Sequence, residues 1–190
     1  GRSWAVVFAR AGWTVRLFDA VPAQLAAARR QIEQALTEQQ QAGLAADARA
    51  ALDRIAPCIR VGDALTDAAW VQENLPEEVA IKRTAFAEFD RLASPDAILA
   101  SSTSAIVASH FTADLAGRAR CLVVHPVNPP HLVPIVELCG APWTSEATLE
   151  RARLTMESLG QVPIVVRREI EGFVLNRLQG ALLTEAMRLV

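Results

Sequence analysis

The sequence predicts an α/β fold, a doubly wound parallel sheet with helices on both faces. Three observations carry that prediction. Short apolar runs at 97–100, 121–124 and 133–136 have the length and composition of buried strands. Ala-, Gln- and Leu-rich stretches of helical character alternate with such runs along the chain, as layered α/β packing requires. Groups able to do chemistry follow the three runs: Ser104 after the first, His125 after the second and Glu137 after the third. Ligands of open α/β sheets sit off the carboxyl ends of strands, so hydroxyl, imidazole and carboxylate are expected in one crevice.

The remaining elements follow in order. Residues 2–11 read as a helix closed by Gly12, and Thr14 to Phe18 as a strand leading to Asp19. Gly, helix, Gly, strand, acid is the second half of a dinucleotide-binding, Rossmann-type unit. In the full unit a Gly-x-Gly-x-x-Gly turn opens the helix, and an acid about 20 residues on takes the ribose hydroxyls. Gly1 is then expected to be the last glycine of that turn, with the first strand, central in the usual order, absent from this chain. Asp19 favours NAD over NADP, because a carboxylate repels a 2′-phosphate. Its plainer alternative is a helix cap ahead of Pro22.

Residues 22–42 and 45–56 read as two helices around Gly43, a hairpin over 22–56 that is expected to project from the sheet edge. Gln39, Gln40 and Gln41 read as a solvated helix end. Ile59–Val61 and Trp70–Glu73 are expected strands. A helix follows from Pro76 to about Leu92, with Pro and then acids in its first turn. It carries Lys82, the one Lys among nineteen basic residues. Next come a helix over 145–159 capped by Thr144, a strand over Val162–Val166, and a helix from Gly172 to Val190 with Asn176 in its first turns. The apolar stripe of that last helix has no evident partner, so the expected division is a nucleotide-binding domain over 1–168 and, over 169–190, the start of an all-helical domain.

Composition bounds the partners. Apolar content of 52% and a formal charge of −2 describe a globular chain with no electrostatic reason to bind nucleic acid or an anionic membrane. No apolar run approaches the ~18–20 residues that span a bilayer. Cys58, Cys121 and Cys139 have no metal-ligand or redox spacing, so reduced thiols, a cytoplasmic setting and no metal are expected.

Ser-Ser-Thr-Ser at 101–104, His-Pro-Val-Asn-Pro at 125–129, Glu137, and Gly-Phe-Val-Leu-Asn-Arg at 172–177 together resemble the 3-hydroxyacyl-CoA dehydrogenase superfamily. The run His-Pro-Val-Asn-Pro-Pro resembles its lambda-crystallin, or L-gulonate 3-dehydrogenase, branch. The resemblance implies NAD-dependent oxidation of the 3-hydroxyl of an L-3-hydroxy acid or its thioester. It implies that His125 is the base, that Glu137 orients it, and that Ser104 and Asn176 hold the substrate oxygen. Asn128 is implied to stand behind them. Gly1, Asp19, Glu77, Lys82 and Ser102 are implied on the cofactor side, with Ser102 standing where fatty-acid enzymes carry Asn. A homodimer made through the helical domain is also implied.

The alternatives are a 3-hydroxyacyl-CoA dehydrogenase of fatty-acid metabolism and a crystallin-like structural protein. Charge separates the two substrates. On the hairpin, Arg29, Arg30, Arg49 and Arg54 are balanced by Glu33, Glu38, Asp47 and Asp53, which gives a polyphosphate carrier no net attraction. A small free hydroxy acid is therefore the expected substrate.

Overall fold

The computed structural model describes residues 1–190. Its elements run α1 (Arg2–Arg10), β1 (Val15–Phe18), α2 (Pro22–Gln41), α3 (Ala48–Asp53), β2 (Ile55–Cys58), α4 (Val61–Leu65), β3 (Trp70–Glu73) and α5 (Val79–Leu92). Then follow β4 (Ile98–Ser101), α6 (Ser109–Thr112), β5 (Cys121–Pro126), β6 (Ile135–Gly140), α7 (Glu146–Ser158), β7 (Val162–Val166) and α8 (Leu175–Arg188).

The strands form two sheets. β1 and β2 pair in parallel, and β3-β4-β5-β6-β7 make a separate sheet of five. Within the larger sheet β5 and β6 run antiparallel, so the sheet is mixed rather than wholly parallel. Only the residues 127–134 connect these two strands, and a parallel crossover needs a dozen or more. β6 also extends past the expected end of its apolar run, so Glu137 lies inside the strand rather than after it.

Alternation assigns each strand residue to a face. Ile98, Ala100, Leu122, Val124, Val136 and Leu138 pack on one side against Trp4, Val7, Phe8, Ala152 and Met156. Leu99, Cys121, Val123 and Cys139 pack on the other against Phe86, Phe111 and Phe173. His125 and Glu137 belong to that second face. Helix α1 is buried at every position from Trp4 to Ala9 because it serves two cores. Trp4, Val7 and Phe8 face the five-stranded sheet, and Ala5, Val6 and Ala9 face α2 and α3.

Several boundaries differ from the sequence reading. The strand expected at 59–61 lies at Ile55–Cys58, in parallel register with β1, and 61–65 is helical. Pro57 is tolerated there because β2 is an edge strand. The hairpin does not project: Ile32 and Leu36 of α2 and Leu52 of α3 are buried against α1. Gln39 is buried rather than solvated, taking a bond from Arg10 at 2.9 Å. Helix α5 starts three residues after Pro76, with Glu78 at its cap. Ser145, not Thr144, caps α7; the Thr144 hydroxyl instead joins the amide of Ala141 to the carbonyl of Cys121. Helix α8 begins after Gly172 and Phe173, both left-handed at φ +75° and +48°. Its Leu178, Leu182, Leu183 and Met187 are exposed.

Burial pushes the thiols of Cys121 and Cys139 up to about 12, whereas Cys58 is only partly covered. Under native conditions a thiol-reactive disulfide should therefore label one cysteine, Cys58, and all three only in denaturant. Native labelling of Cys121 or Cys139, read by peptide mass, would contradict this packing.

Candidate functional site

The site grows from one register. In the β5–β6 pair His125 stands directly opposite Glu137, and both side chains point to the same face. His125 Nδ1 lies 2.8 Å from Glu137 Oε2, and the side chains are 4% and 2% exposed. A carboxylate placed there accepts the Nδ1 proton and leaves Nε2 as the nitrogen free to take one.

The second oxygen of Glu137 has its own work. Oε1 accepts the backbone N–H groups of Val174 at 2.8 Å and Leu175 at 3.0 Å. These amides open α8, where no intrahelical acceptor exists and negative charge is favoured. Gly172 and Phe173 turn the chain so that the amides meet the carboxylate. A left-handed residue with a side chain costs on the order of 1–3 kcal/mol unless its surroundings hold it. Here the Phe173 ring is fully buried, 5.3 Å from the His125 ring.

In the first turn of α8, Asn176 Nδ2 donates to the carbonyl of Ser104 at 2.7 Å. The loop carrying Ser104 is held from the other side by Glu77. Oε1 of Glu77 accepts from the Thr103 hydroxyl and from the amides of Ser104 at 3.0 Å and Ala105 at 2.9 Å. Partial burial pushes the Glu77 carboxyl up. The Thr103 hydroxyl, the Ala105 and Ile106 amides and Lys82 outweigh that and hold it below the usual carboxylate range.

A cleft of about 310 Å³ opens beside this assembly. Gly1, Ser3 and Trp4 of the α1 end line it, with Asn74, Leu75 and Glu77 after β3, Ser102 and Ser104 after β4, and Asn128 and Pro126 beyond His125. The Ser102 hydroxyl accepts from Trp4 Nε1 at 2.9 Å and Gln72 Nε2 at 2.7 Å. With both acceptor positions filled, its proton is left to donate into the cleft. Asp19 stands exposed after β1, where one carboxylate oxygen takes the amide of Val21 at 2.8 Å. The α1 N-terminus beside a polar cleft, with an acid after the next strand, fits a dinucleotide.

A family model for the 3-hydroxyacyl-CoA dehydrogenase NAD-binding domain matches residues 1–170. The chain belongs to this family. It is 40% identical over 193 residues to lambda-crystallin of Oryctolagus cuniculus, covering all of this chain and 60% of that protein. It is 35% identical to an L-carnitine dehydrogenase of a Pseudomonas species, again along its full length and over 59% of that relative. The solved structure of M. tuberculosis FadB2 superposes with a TM-score of 0.93 at 33% identity, covering all of this chain and 67% of that one. The chain thus spans about three-fifths of the curated relatives it matches. NAD is the cofactor of the matched domain.

The residues singled out in the sequence divide into two groups. His125, Glu137, Asn176 and Ser104 are joined by direct bonds and by the start of α8. Gly1, Glu77, Ser102 and Asn128 line the cleft, and Asp19 stands apart on β1's edge. Lys82 takes a different place from a cofactor-facing cation. It is 1% exposed, with Nζ 3.0 Å from Glu73 Oε2 and 3.7 Å from Glu77 Oε2, so it meets the cleft only through Glu77. Sequence reasoning missed Glu73 and Phe173. For Glu73 a signal existed: an acid ending a buried strand needs a buried partner, and the chain's one Lys lies nine residues on.

Glu137→Gln removes the charge that both His125 and α8 use. Hydrogen bonds to a charged group contribute about 1.5–3 kcal/mol, so amide exchange at Val174 and Leu175 should quicken at least about tenfold. Unchanged exchange there, measured by NMR, would mean that the carboxylate does not hold the helix.

Proposed function

We propose that the protein oxidises the 3-hydroxyl of an L-3-hydroxy acid with NAD, with His125 as the base. The observation that carries this reading is the buried His125–Glu137 pair beside a polar cleft that begins at the α1 N-terminus. His125 Nε2 takes the hydroxyl proton as the C–O bond gains double-bond character. The adjacent Glu137 carboxylate stabilises the imidazolium that forms. Bound NAD supplies the acceptor for the hydride leaving the same carbon. Ser104 and Asn176, tied together at 2.7 Å, hold the substrate oxygen toward His125. Gly1, Asp19, Glu77 and Ser102 serve the cofactor, Lys82 acts on it through Glu77, and Asn128 supports the wall beyond the base.

For the substrate we favour a small free hydroxy acid such as L-gulonate over an acyl-CoA. On the hairpin Arg49 is paired with Asp53 at 3.2 Å, and Arg29 reaches the carbonyl of Ile55. With Arg29, Arg30, Arg49 and Arg54 balanced by Glu33, Glu38, Asp47 and Asp53, the hairpin carries no net positive charge for a carrier's phosphates. The similarity to an L-carnitine dehydrogenase supports a free acid, whereas the match to a 3-hydroxyacyl-CoA dehydrogenase domain supports the acyl-CoA reading. The exposed stripe on α8 supports a helical domain beyond the 1–168 unit that completes the site and makes a homodimer. No helix is long and apolar enough to cross a membrane. The free thiols of Cys58, Cys121 and Cys139 support a cytoplasmic enzyme.

The test is steady-state kinetics on the full-length protein. L-Gulonate oxidation with NAD should give a higher kcat/KM than acetoacetyl-CoA reduction, after correction for equilibrium direction. His125→Gln should lower kcat by about 10²–10⁴-fold, the usual worth of a positioned base, and leave NAD affinity nearly intact. Retained turnover in His125→Gln would place the base elsewhere. The reverse substrate order would make this a 3-hydroxyacyl-CoA enzyme.

A further inference from the structure

The cleft wall is built around a carboxylate that the cleft never meets. The side chain of Glu73, at the end of β3, is 0% exposed and filled with bonds. Oε1 accepts the amide of Leu75 and lies 3.1 Å from Lys82 Nζ. Oε2 accepts the Ser101 hydroxyl at 2.5 Å and lies 3.0 Å from the same ammonium. The Glu73 carbonyl takes the amide of Ser102 at 2.9 Å. Glu73 therefore fastens the starts of both loops that form the wall, Asn74–Glu78 and Ser102–Ile106.

Its charge matters as much as its bonds. Lys82 sits between two carboxylates, in contact with Glu73 and 3.7 Å from Glu77. Glu77 is thereby left to spend Oε1 on the amides of the Ser104 loop. If Glu73 is made neutral, Glu77 becomes the nearest anion to a buried ammonium. A buried charge requires a partner, so Lys82 draws Glu77 toward itself and off that loop.

We propose that Glu73 is a positioning residue of the dehydrogenase site, which holds Lys82 so that Glu77 remains on the Ser104 loop. The proposal rests on the functional reading above only for its effect on turnover. A displacement of about 1 Å in a positioned group can cost about 10²-fold in rate, so a side chain buried behind the wall can still control kcat.

Two measurements separate this from simple structural support. The first is amide exchange at Ser104, Ala105 and Ile106 in full-length protein without cofactor or substrate. Glu73→Gln should raise exchange there at least about tenfold, and the double variant Glu73→Gln/Lys82→Met should restore it, because nothing then pulls on Glu77. A merely structural role predicts that the double variant exchanges at least as fast as the single one, and that result would overturn the proposal. If Glu73→Gln folds too weakly to measure, Glu73→Asp carries the test. It keeps the charge and should keep the loop protected, and an opened loop would refute the idea. The second measurement is turnover. Glu73→Gln should lower kcat about tenfold or more, with a smaller change in the KM for NAD. An inactive wild type would defeat the functional reading and leave the exchange test standing. An active wild type matched within twofold by Glu73→Gln would defeat this proposal alone.

Discussion

The antiparallel register of β5 and β6 is the constraint on which the site depends. His125 faces Glu137 because those two residues are directly paired, and side chains alternate faces with a period of two. A slip of one residue would send Glu137 into the layer of Trp4, Val7 and Met156 and bring an apolar neighbour opposite the imidazole. Apolar residues on both sides of the pair prevent that slip: Val124 and Leu138 must face α1 and α7, and Val123 and Cys139 must face Phe86 and Phe173. The packing that stabilises the sheet thus also fixes the geometry of the base.

From that pair the construction spreads through single atoms with two duties. Glu137 orients His125 with one oxygen and starts α8 with the other. Helix α8 delivers Asn176 to the carbonyl of Ser104, and Glu77 holds the same loop from across the cleft. A carboxylate as buried as Glu137 is costly unless fully bonded, and here it has three partners: the His125 ring and the amides of Val174 and Leu175. Two buried acid–base pairs belong to one sheet: His125 with Glu137 across β5 and β6, and Glu73 at the end of β3 with Lys82 of α5, with β4 between them.

Much of this was legible in the sequence, for physical reasons. The apolar runs around Ile98 and Leu122 are strands buried on both faces, which read as continuous hydrophobic stretches. His125 and Glu137 carry the chemistry legibly because each is a charged or titratable group that its buried strand encloses, whereas Asn176 is carried by the resemblance of Gly-Phe-Val-Leu-Asn-Arg and not by its spacing. The direction of β6 follows from the short 127–134 connection and not from its apolar run, which reads alike in parallel and antiparallel strands. The strand at Ile55–Cys58 was obscured by Pro57, a residue that argues against strands except at an edge. The burial of Gln39 and the role of Glu73 depend on tertiary partners, Arg10 and Lys82, that local patterns do not reveal.

The tautomer of His125 tests this arrangement most directly. ¹⁵N NMR of the imidazole at neutral pH should find the proton on Nδ1, toward Glu137, with Nε2 bare and able to accept a substrate proton. A neutral ring protonated on Nε2 would mean that His125 donates where a base must accept, and would contradict the assignment of the His125–Glu137 pair.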